Sequence, residues 1–117
     1  MRHGNVNRKF GRETDQRRAF LRSLTRSLVL REKMTTTEAR AKELRPIVEK
    51  LITRGKSTES IADKRLLVAR AGGDITVAKK VAVLGVRYRG RAGGYVRITK
   101  LPPRKSDGSK MARIEFV

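Results

Sequence analysis

The chain has 117 residues and carries 30 Lys and Arg against 11 Asp and Glu, so its formal net charge is +19. This length fits one domain with a modest core and an arm or tail. The absence of Cys excludes a disulfide scaffold and a thiolate metal site, and the single His excludes a multi-histidine metal centre. The longest apolar stretch, Val81 to Leu84, is far shorter than a membrane span.

The net charge indicates a polyanionic partner, which could be nucleic acid, an anionic membrane surface or an acidic protein. Arg outnumbers Lys by 19 to 11, and guanidinium groups bind phosphate through two parallel hydrogen bonds. Aromatic residues make up 4% of the chain and Trp is absent, which disfavours insertion into a lipid surface. Nucleic acid is therefore favoured. A merely solubilising surface would usually give a small domain a net charge of only about 2 to 8.

Residues 1–12 predict an extended basic arm. They contain no acid, and their Gly and Asn residues break any helical or strand periodicity. Against a phosphate surface such a segment can lie extended, with backbone and side-chain donors both in use. The alternative is a loose terminus without a role. The candidate RNA contacts in the arm are Arg2, His3, Arg8, Lys9 and Arg12. Residues 13–117 are predicted to form a single domain.

The first predicted helix covers residues 14–31 and has two unlike faces. Thr14 offers an N-cap, and Asp15 suits the positive end of a helix. Four apolar residues share one face: Phe20, Leu21, Leu24 and Leu28. The opposite face repeats Arg every four residues, at Arg18, Arg22 and Arg26. Because no acid lies between these Arg residues, we expect them to contact phosphate rather than form a merely solvated face.

The next segment predicts a short extended stretch and the main core helix. Residues 32–36 predict a short strand or an extended link. Thr35 has capping-box spacing to Glu38, so the second helix is predicted to begin there. A long apolar stripe carries this helix to about residue 54, where Gly55 ends it.

Two shorter helices are predicted to follow. Residues 58–70 form the third, and residues 74–85 form the fourth, which begins at Asp74 or Thr76 and ends at Gly85. Most acidic residues of the chain lie between Glu32 and Asp74. We therefore expect the middle helices to pack against one another and to face solvent, more than the two ends of the chain do.

From Val86 onward the hydrophobic pattern changes to a period of two. Residues 95–101 and 111–117 each alternate apolar and polar side chains and predict two strands of an antiparallel hairpin. Its outer face would carry Arg97 and Arg113. The expected fold is α+β, with about four helices packed on a small sheet of two to three strands, the third strand being residues 32–36.

The strongest local signal for RNA binding is the alternation of Arg, Gly and Tyr over residues 87–97. Arg can bind phosphate, Gly allows close backbone approach, and Tyr can stack on bases. The candidate contacts here are Arg87, Arg89, Arg91, Tyr95 and Arg97. In the alternative interpretation, the glycines are turn residues and Tyr95 is a core residue, but this does not explain why Arg residues recur in the segment. Arg104 and Lys105 belong to a second basic finger or to a long hairpin connection.

Catalysis finds no support in the sequence. His3 has no evident base or nucleophile partner, and the glutamates of the second helix have the spacing of intrahelical ion pairs. No loop matches a nucleotide-binding fingerprint, and the carboxylates of a nuclease metal site are missing. We predict no enzyme, no catalytic residue, no metal and no cofactor. No sequence-specific DNA-binding motif is present either, so shape-based binding to folded RNA is favoured.

Several short motifs occur in a fixed order along almost the whole chain. They are Met1-Arg2-His3 with Lys9 and Arg12, Thr36-Thr37, Ala41-Lys42-Glu43-Leu44-Arg45, Lys64-Arg65-Leu66, Arg91-x-Gly93-Gly94-Tyr95-x-Arg97-Ile98, Asp107-Gly108 and Met111-Ala112-x-Ile114-Glu115. Together they resemble the bacterial-type large-subunit ribosomal protein L-seventeen family. The chain departs from the family pattern at Val96, Ser106 and Arg113, and residues 70–86 match it poorly.

This resemblance implies a structural component of the large ribosomal subunit, near the polypeptide exit, with an α+β fold. The implied partners are large-subunit ribosomal RNA and neighbouring large-subunit proteins, with no membrane partner and no homo-oligomer in the particle. The Met1-Arg2-His3 start favours a bacterial cytoplasm or an organelle-encoded copy. The competing interpretations are a free nucleoid or RNA-chaperone-like protein and a basic nucleic-acid-processing enzyme.

Overall fold

Four helices and a three-stranded sheet make up residues 13–117, the part of the chain that this computed structural model describes. The elements in chain order are α1 (Thr14–Arg31), β1 (Lys33–Thr37), α2 (Glu38–Gly55), α3 (Ile61–Arg70), α4 (Ile75–Arg87), β2 (Val96–Leu101) and β3 (Met111–Phe116). The predicted α+β architecture is confirmed. The predicted arm, residues 1–12, lies outside the described residues.

The sheet is antiparallel and has the strand order β1-β3-β2. Ile114 in the central strand lies opposite Met34 on one side and Ile98 on the other. The predicted hairpin of the last two strands is confirmed, and β1 completes the sheet as its third strand. Because side chains alternate along a strand, Met34, Ile98 and Ile114 share the inner face, while Arg97 and Arg113 lie on the outer face.

Helix α2 lies at the centre of the fold, where it packs against the sheet, α1 and α4. The fully enclosed side chains come from every layer and include Leu28, Val29, Leu44, Val48, Ile52, Val81, Leu84, Tyr95 and Ile114. This single core confirms the predicted apolar stripe of the second helix.

Two predicted helix starts lie a few residues too early. Thr35 belongs to β1, opposite Arg113, and Thr37 is the N-cap of α2, with its side chain accepting a hydrogen bond from the Arg40 N–H at 3.3 Å. Helix α3 begins at Ile61 and is capped by Ser60, which accepts from the Asp63 N–H at 3.1 Å. In β1, pairing with β3 extends to Thr37, so the capping-box spacing at Thr35 does not begin a helix.

Gly85 does not end the fourth helix, as the sequence predicted. Helix α4 continues to Arg87, and Gly85 lies where it crosses the end of α2. A Cβ atom added at Gly85 would lie 2.5 Å from the carbonyl oxygen of Gly55, and one at Gly55 would lie 2.7 Å from a methyl group of Val81. The two glycines therefore let the helix backbones approach closely, and this crossing fixes where the Arg-rich segment after α4 begins.

Candidate nucleic-acid interface

The outer face of α1 carries the predicted basic stripe. Arg18, Arg22 and Arg26 are all exposed, four residues apart on one side of the helix. They border a groove of about 440 Å³ between α1 and the turn that joins α3 to α4. Arg17 and Arg70 also line this groove, so five guanidinium groups surround it, with Asp74 as its carboxylate. We call these five Arg residues the α1 basic groove.

Three members of the α1 basic groove, among them Arg70, have no acidic partner in the described part of the chain. Arg18 and Arg22 form no ion pair with residues 13–117, whereas Arg26 pairs with Asp74. Arg22 lies over Gly72, where an added Cβ would be 2.8 Å from its Cδ atom. Because Gly72 also has a φ of 76°, this turn both requires glycine and makes room for the Arg22 side chain.

Asp74 joins the groove to the start of α4. Its carboxylate caps the helix by accepting a hydrogen bond from the Val77 N–H at 3.2 Å, and it also accepts one from Arg26. The Arg26 hydrogen bond, followed by that of Val77, lowers the pKa of Asp74 below its ordinary value. Asp74 therefore stays ionised and orients one wall of the groove.

The second basic surface comprises the last residue of α4 and the segment that follows this helix. Arg89 is exposed and forms no ion pair among the described residues, and Arg91 is exposed with its guanidinium 5.7 Å from the Tyr88 ring centre. The Arg91 carbonyl accepts hydrogen bonds from Lys56 and, at 3.2 Å, from the Tyr95 hydroxyl. This tether holds the backbone of the segment against α2, while the Arg89 and Arg91 side chains face outward. We call Arg87, Arg89 and Arg91 the α4 basic segment.

Arg87 is held by a carboxylate at the junction of α1 and β1. Glu32 has a φ of 66°, ends α1, and accepts hydrogen bonds from Arg87 and, at 3.0 Å, from Lys80. The hydrogen bond from Arg87, followed by that from Lys80, lowers the pKa of Glu32 to about 2. Arg87 still has about half of its side chain exposed, and one carboxylate uses only part of its donor capacity.

Tyr95 is a core residue and lies away from the exposed surface. Its side chain is fully buried, and its hydroxyl lies 3.2 Å from both Thr53 Oγ1 and the Arg91 carbonyl. Lys56 Nζ lies 4.7 Å from the ring centre. The predicted stacking of a base on Tyr95 therefore has no exposed ring face to use. We remove Tyr95 from the candidate interface and assign it to the anchoring of the segment that carries Arg91.

The outer face of the sheet forms a third basic surface, because the described helices pack on its inner face. Arg97 donates a hydrogen bond to Glu115 across the strands at 2.8 Å. Arg113 lies beside them with Thr35 and Thr99 as its cross-strand neighbours, and Lys33 is opposite Glu115. Arg113 was predicted on this outer face but was not among the predicted contacts. Lys33 was not singled out, although the alternation of side chains in β1 was an available signal for it. Arg70 gave no such signal, because only the α3–α4 turn brings it to the α1 basic groove.

The loop between β2 and β3 is a compact turn. The Arg104 guanidinium pairs with Asp107 at 3.3 Å, and the backbone N–H of Arg104 donates a hydrogen bond to the Ser109 carbonyl at 2.9 Å. Lys105 is exposed and forms no ion pair within residues 13–117. These contacts favour the hairpin connection over a long basic finger. The remaining predicted contacts, Arg2, His3, Arg8, Lys9 and Arg12, lie outside the described residues.

Two further features of residues 13–117 concern metal binding and membrane spans. These residues contain no cluster of three His, Cys, Asp or Glu side chains able to hold a metal ion. No helix within this range is long and apolar enough to cross a membrane.

Comparison with known proteins decides the family. The sequence model of the family described as Ribosomal protein L17 matches residues 20–117. A large ribosomal subunit protein bL17 from Thermomicrobium roseum is 44% identical over 117 residues, covering all of this chain and 99% of the relative. One of the same name from Caldanaerobacter subterraneus is 48% identical over 110 residues, covering 94% of this chain and 97% of the relative. The chain belongs to the ribosomal protein L17 family.

Membership of the L17 family confirms the resemblance found in the sequence motifs. It also confirms the prediction of a structural ribosomal constituent rather than an enzyme. Because the relatives are ribosomal proteins of bacteria, it confirms the predicted location in cytoplasmic ribosomes as well. Two of the shared motifs lie where the backbone requires glycine. Gly94 before β2 has a φ of 66°, and Gly108 in the β2–β3 turn has a φ of 70°.

Proposed function

We propose that this member of the L17 family binds folded large-subunit ribosomal RNA through the α1 basic groove and the α4 basic segment. The outer face of the sheet, with Lys33, Arg97 and Arg113, extends this interface, as do Arg104 and Lys105. The relatives carry the name of large ribosomal subunit proteins, which supports the RNA partner. The arm residues Arg2, His3, Arg8, Lys9 and Arg12 are proposed as further contacts.

One observation carries the proposal most strongly: Arg18, Arg22 and Arg89 are exposed and have no carboxylate partner within residues 13–117. Guanidinium groups held close together repel one another unless an external anion neutralises them. A phosphate backbone supplies such anions at regular spacing, and Arg binds each with a planar fork of donors.

The ion pairs of Arg26, Arg87 and Arg97 do not prevent phosphate binding. Their side chains are 45% to 59% exposed, and exposed ion pairs contribute only about 0 to 1 kcal/mol. Each pair instead restrains the direction of its guanidinium and leaves other donors free. The acids thus pre-orient part of the interface at little cost to its affinity.

The salt dependence of RNA binding tests this proposal. In the double variant R18Q/R22Q, two phosphate contacts are lost, so the slope of log affinity against log salt should fall by roughly 1.4 to 1.8. The matched control is K42Q/R45Q, which also removes two cations, but ones that pair with Glu38 and Glu49 along α2. If both double variants change the slope equally, net charge rather than the α1 basic groove determines binding.

We further propose that neighbouring large-subunit proteins contact this chain in the particle and that it does not homo-oligomerise there. A self-associated pair would place two chains of +19 charge side by side. Cross-linking of intact large subunits, followed by mass spectrometry, tests both statements. Links between peptides of two copies of this chain would contradict the second.

A further inference from the structure

Helix α4 is apolar on two opposite sides. Val77, Ala78, Val81 and Leu84 face the core. On the other side, Ile75 and Val83 are each 59% exposed and Val86 is 57% exposed. At 100° per residue, these three residues and Lys79 lie within one narrow arc of the helix, opposite the buried side. We call Ile75, Lys79, Val83 and Val86 the α4 outer face.

The composition of the α4 outer face is unusual for a surface helix. Such helices normally carry charged and polar residues opposite the core, whereas helices that are apolar all round are normally enclosed. No described element of the chain packs on this face. The three aliphatic side chains follow one another over about 16 Å, or three helical turns, which is long enough to hold a helix or an extended segment of another chain.

The charges around the α4 outer face define what can cover it. Lys79 lies in the middle of the face and forms no ion pair with residues 13–117. Asp74, the N-cap of α4, is already engaged by Arg26, and Glu32 is engaged by Lys80 and Arg87 of α4. The face therefore presents one unneutralised ammonium group surrounded by aliphatic surface, which complements an apolar segment that carries a carboxylate.

Two other occupants fit this chemistry poorly. An RNA backbone needs several donors per turn, and the α4 outer face offers one cation among groups that would desolvate phosphate without replacing its hydrogen bonds. A second copy of this chain, packed symmetrically by the same face, would bring Lys79 towards Lys79, and α4 itself carries no Asp or Glu to pair with either. An acidic or neutral protein segment has neither difficulty.

We propose that the α4 outer face is a docking surface for a neighbouring protein of the large subunit. An apolar segment of that protein lies across Ile75, Val83 and Val86, and its Asp or Glu side chain pairs with Lys79. The inference rests on the proposed function, because it requires the chain to be in the particle. It extends that function by assigning one face of the fold to protein rather than to RNA.

Zero-length carbodiimide cross-linking of purified large subunits tests the proposal, because it joins an ammonium group to a carboxylate in direct contact. We expect mass spectrometry to find Lys79 linked to an Asp or Glu within an apolar segment of another subunit protein. The V83D variant places a like charge against that carboxylate and should reduce the linked fraction at least about tenfold. The matched control I61D alters an apolar residue that is 68% exposed on α3 and should change it less than about twofold.

The outcomes separate this inference from the proposed function. If the chain does not sediment with large subunits, the proposed function fails before any link is measured. If it sediments but Lys79 stays unlinked, or is linked to a second copy, the docking surface is overturned and the proposed function stands. A photo-reactive side chain at position 83 that captures RNA instead of protein overturns it equally.

Discussion

Replacing Gly85 by Ala perturbs the crossing of α2 and α4 at its closest point. Intrinsic helix propensity alone would make this change stabilising by about 1 kcal/mol, since Gly85 lies inside a helix. In the folded chain, however, the new Cβ would lie 2.5 Å and 2.6 Å from the carbonyl oxygen and carbon of Gly55 and 2.9 Å from the Lys56 nitrogen. These are backbone atoms, which cannot rotate away, so the helices must separate.

Overpacking of this kind costs typically 1 to 3 kcal/mol, and a clash with backbone belongs at the upper end of that range. After the gain in propensity, the net loss in the free energy of unfolding should be about 2 kcal/mol, which corresponds to a fall of roughly 8 °C in Tm. Urea unfolding followed by circular dichroism measures it. The control is G90A, at a glycine with no atom within 4 Å of its added Cβ, which should shift stability by less than about 0.5 kcal/mol. A G85A midpoint equal to or above that of the natural chain would refute the reasoning.

Three further predictions concern the acid at the α1–β1 junction, the buried tyrosine and the arm. Because Arg87 and Lys80 hold the pKa of Glu32 at about 2, its contribution to stability is fully present above about pH 4.5 and is lost as the pH falls towards 2. The E32Q variant should therefore unfold with a weaker pH dependence between those values, and should lose less than about 1 kcal/mol at pH 7 because a third of the side chain is exposed. The Y95F variant should lose about 1 kcal/mol of unfolding free energy with unchanged RNA affinity, and a stability equal to that of the natural chain would remove the assigned anchoring role. Deleting residues 1–12 removes four of the chain's Lys and Arg residues and should lower the salt slope of RNA binding by roughly 3; an unchanged slope would exclude the arm from the interface.

The elements of the fold were predictable because their signals are local. The period of the apolar residues, together with capping residues and glycines, predicted the four helices, and the two-residue alternation near the end of the chain predicted the β2–β3 hairpin. Residues 32–36 predicted only a short strand or an extended link, and the structure places 33–36 in β1. The position of the start of α2 was not predictable in the same way. Thr35 and Thr37 both have the chemistry of an N-cap, and only pairing of β1 with β3 decides between them.

The misassigned and missed residues share one cause, which is that a local sequence pattern does not report which distant residues lie next to a side chain. Tyr95 stands among Arg and Gly, where an aromatic residue suggests base stacking, yet the end of α2 encloses it and Thr53 accepts or donates at its hydroxyl. Gly85 has the position of a helix end but serves a contact with Gly55 from 30 residues earlier. Arg70 joins the α1 basic groove through a turn whose geometry no local pattern specifies.

The structure shows where the exposed charged side chains lie on the fold. Arg18 and Arg22 on α1, and Arg89 and Arg91 after α4, are exposed and form no ion pair within residues 13–117. The α4 outer face carries a single Lys among aliphatic side chains. Under the two proposals, the fold binds RNA and protein through different faces, which suits a component held inside a ribonucleoprotein particle.

Sedimentation of the chain with ribosomal particles tests the central claim most directly. Cell extract is separated on a density gradient at moderate salt, and the chain is quantified in the large-subunit fractions and in the free protein fraction. The account predicts that the natural chain and K42Q/R45Q remain in the large-subunit fractions, and that R18Q/R22Q dissociates at a lower salt concentration. Recovery of the natural chain mainly as free protein, or identical salt profiles for all three, would contradict it.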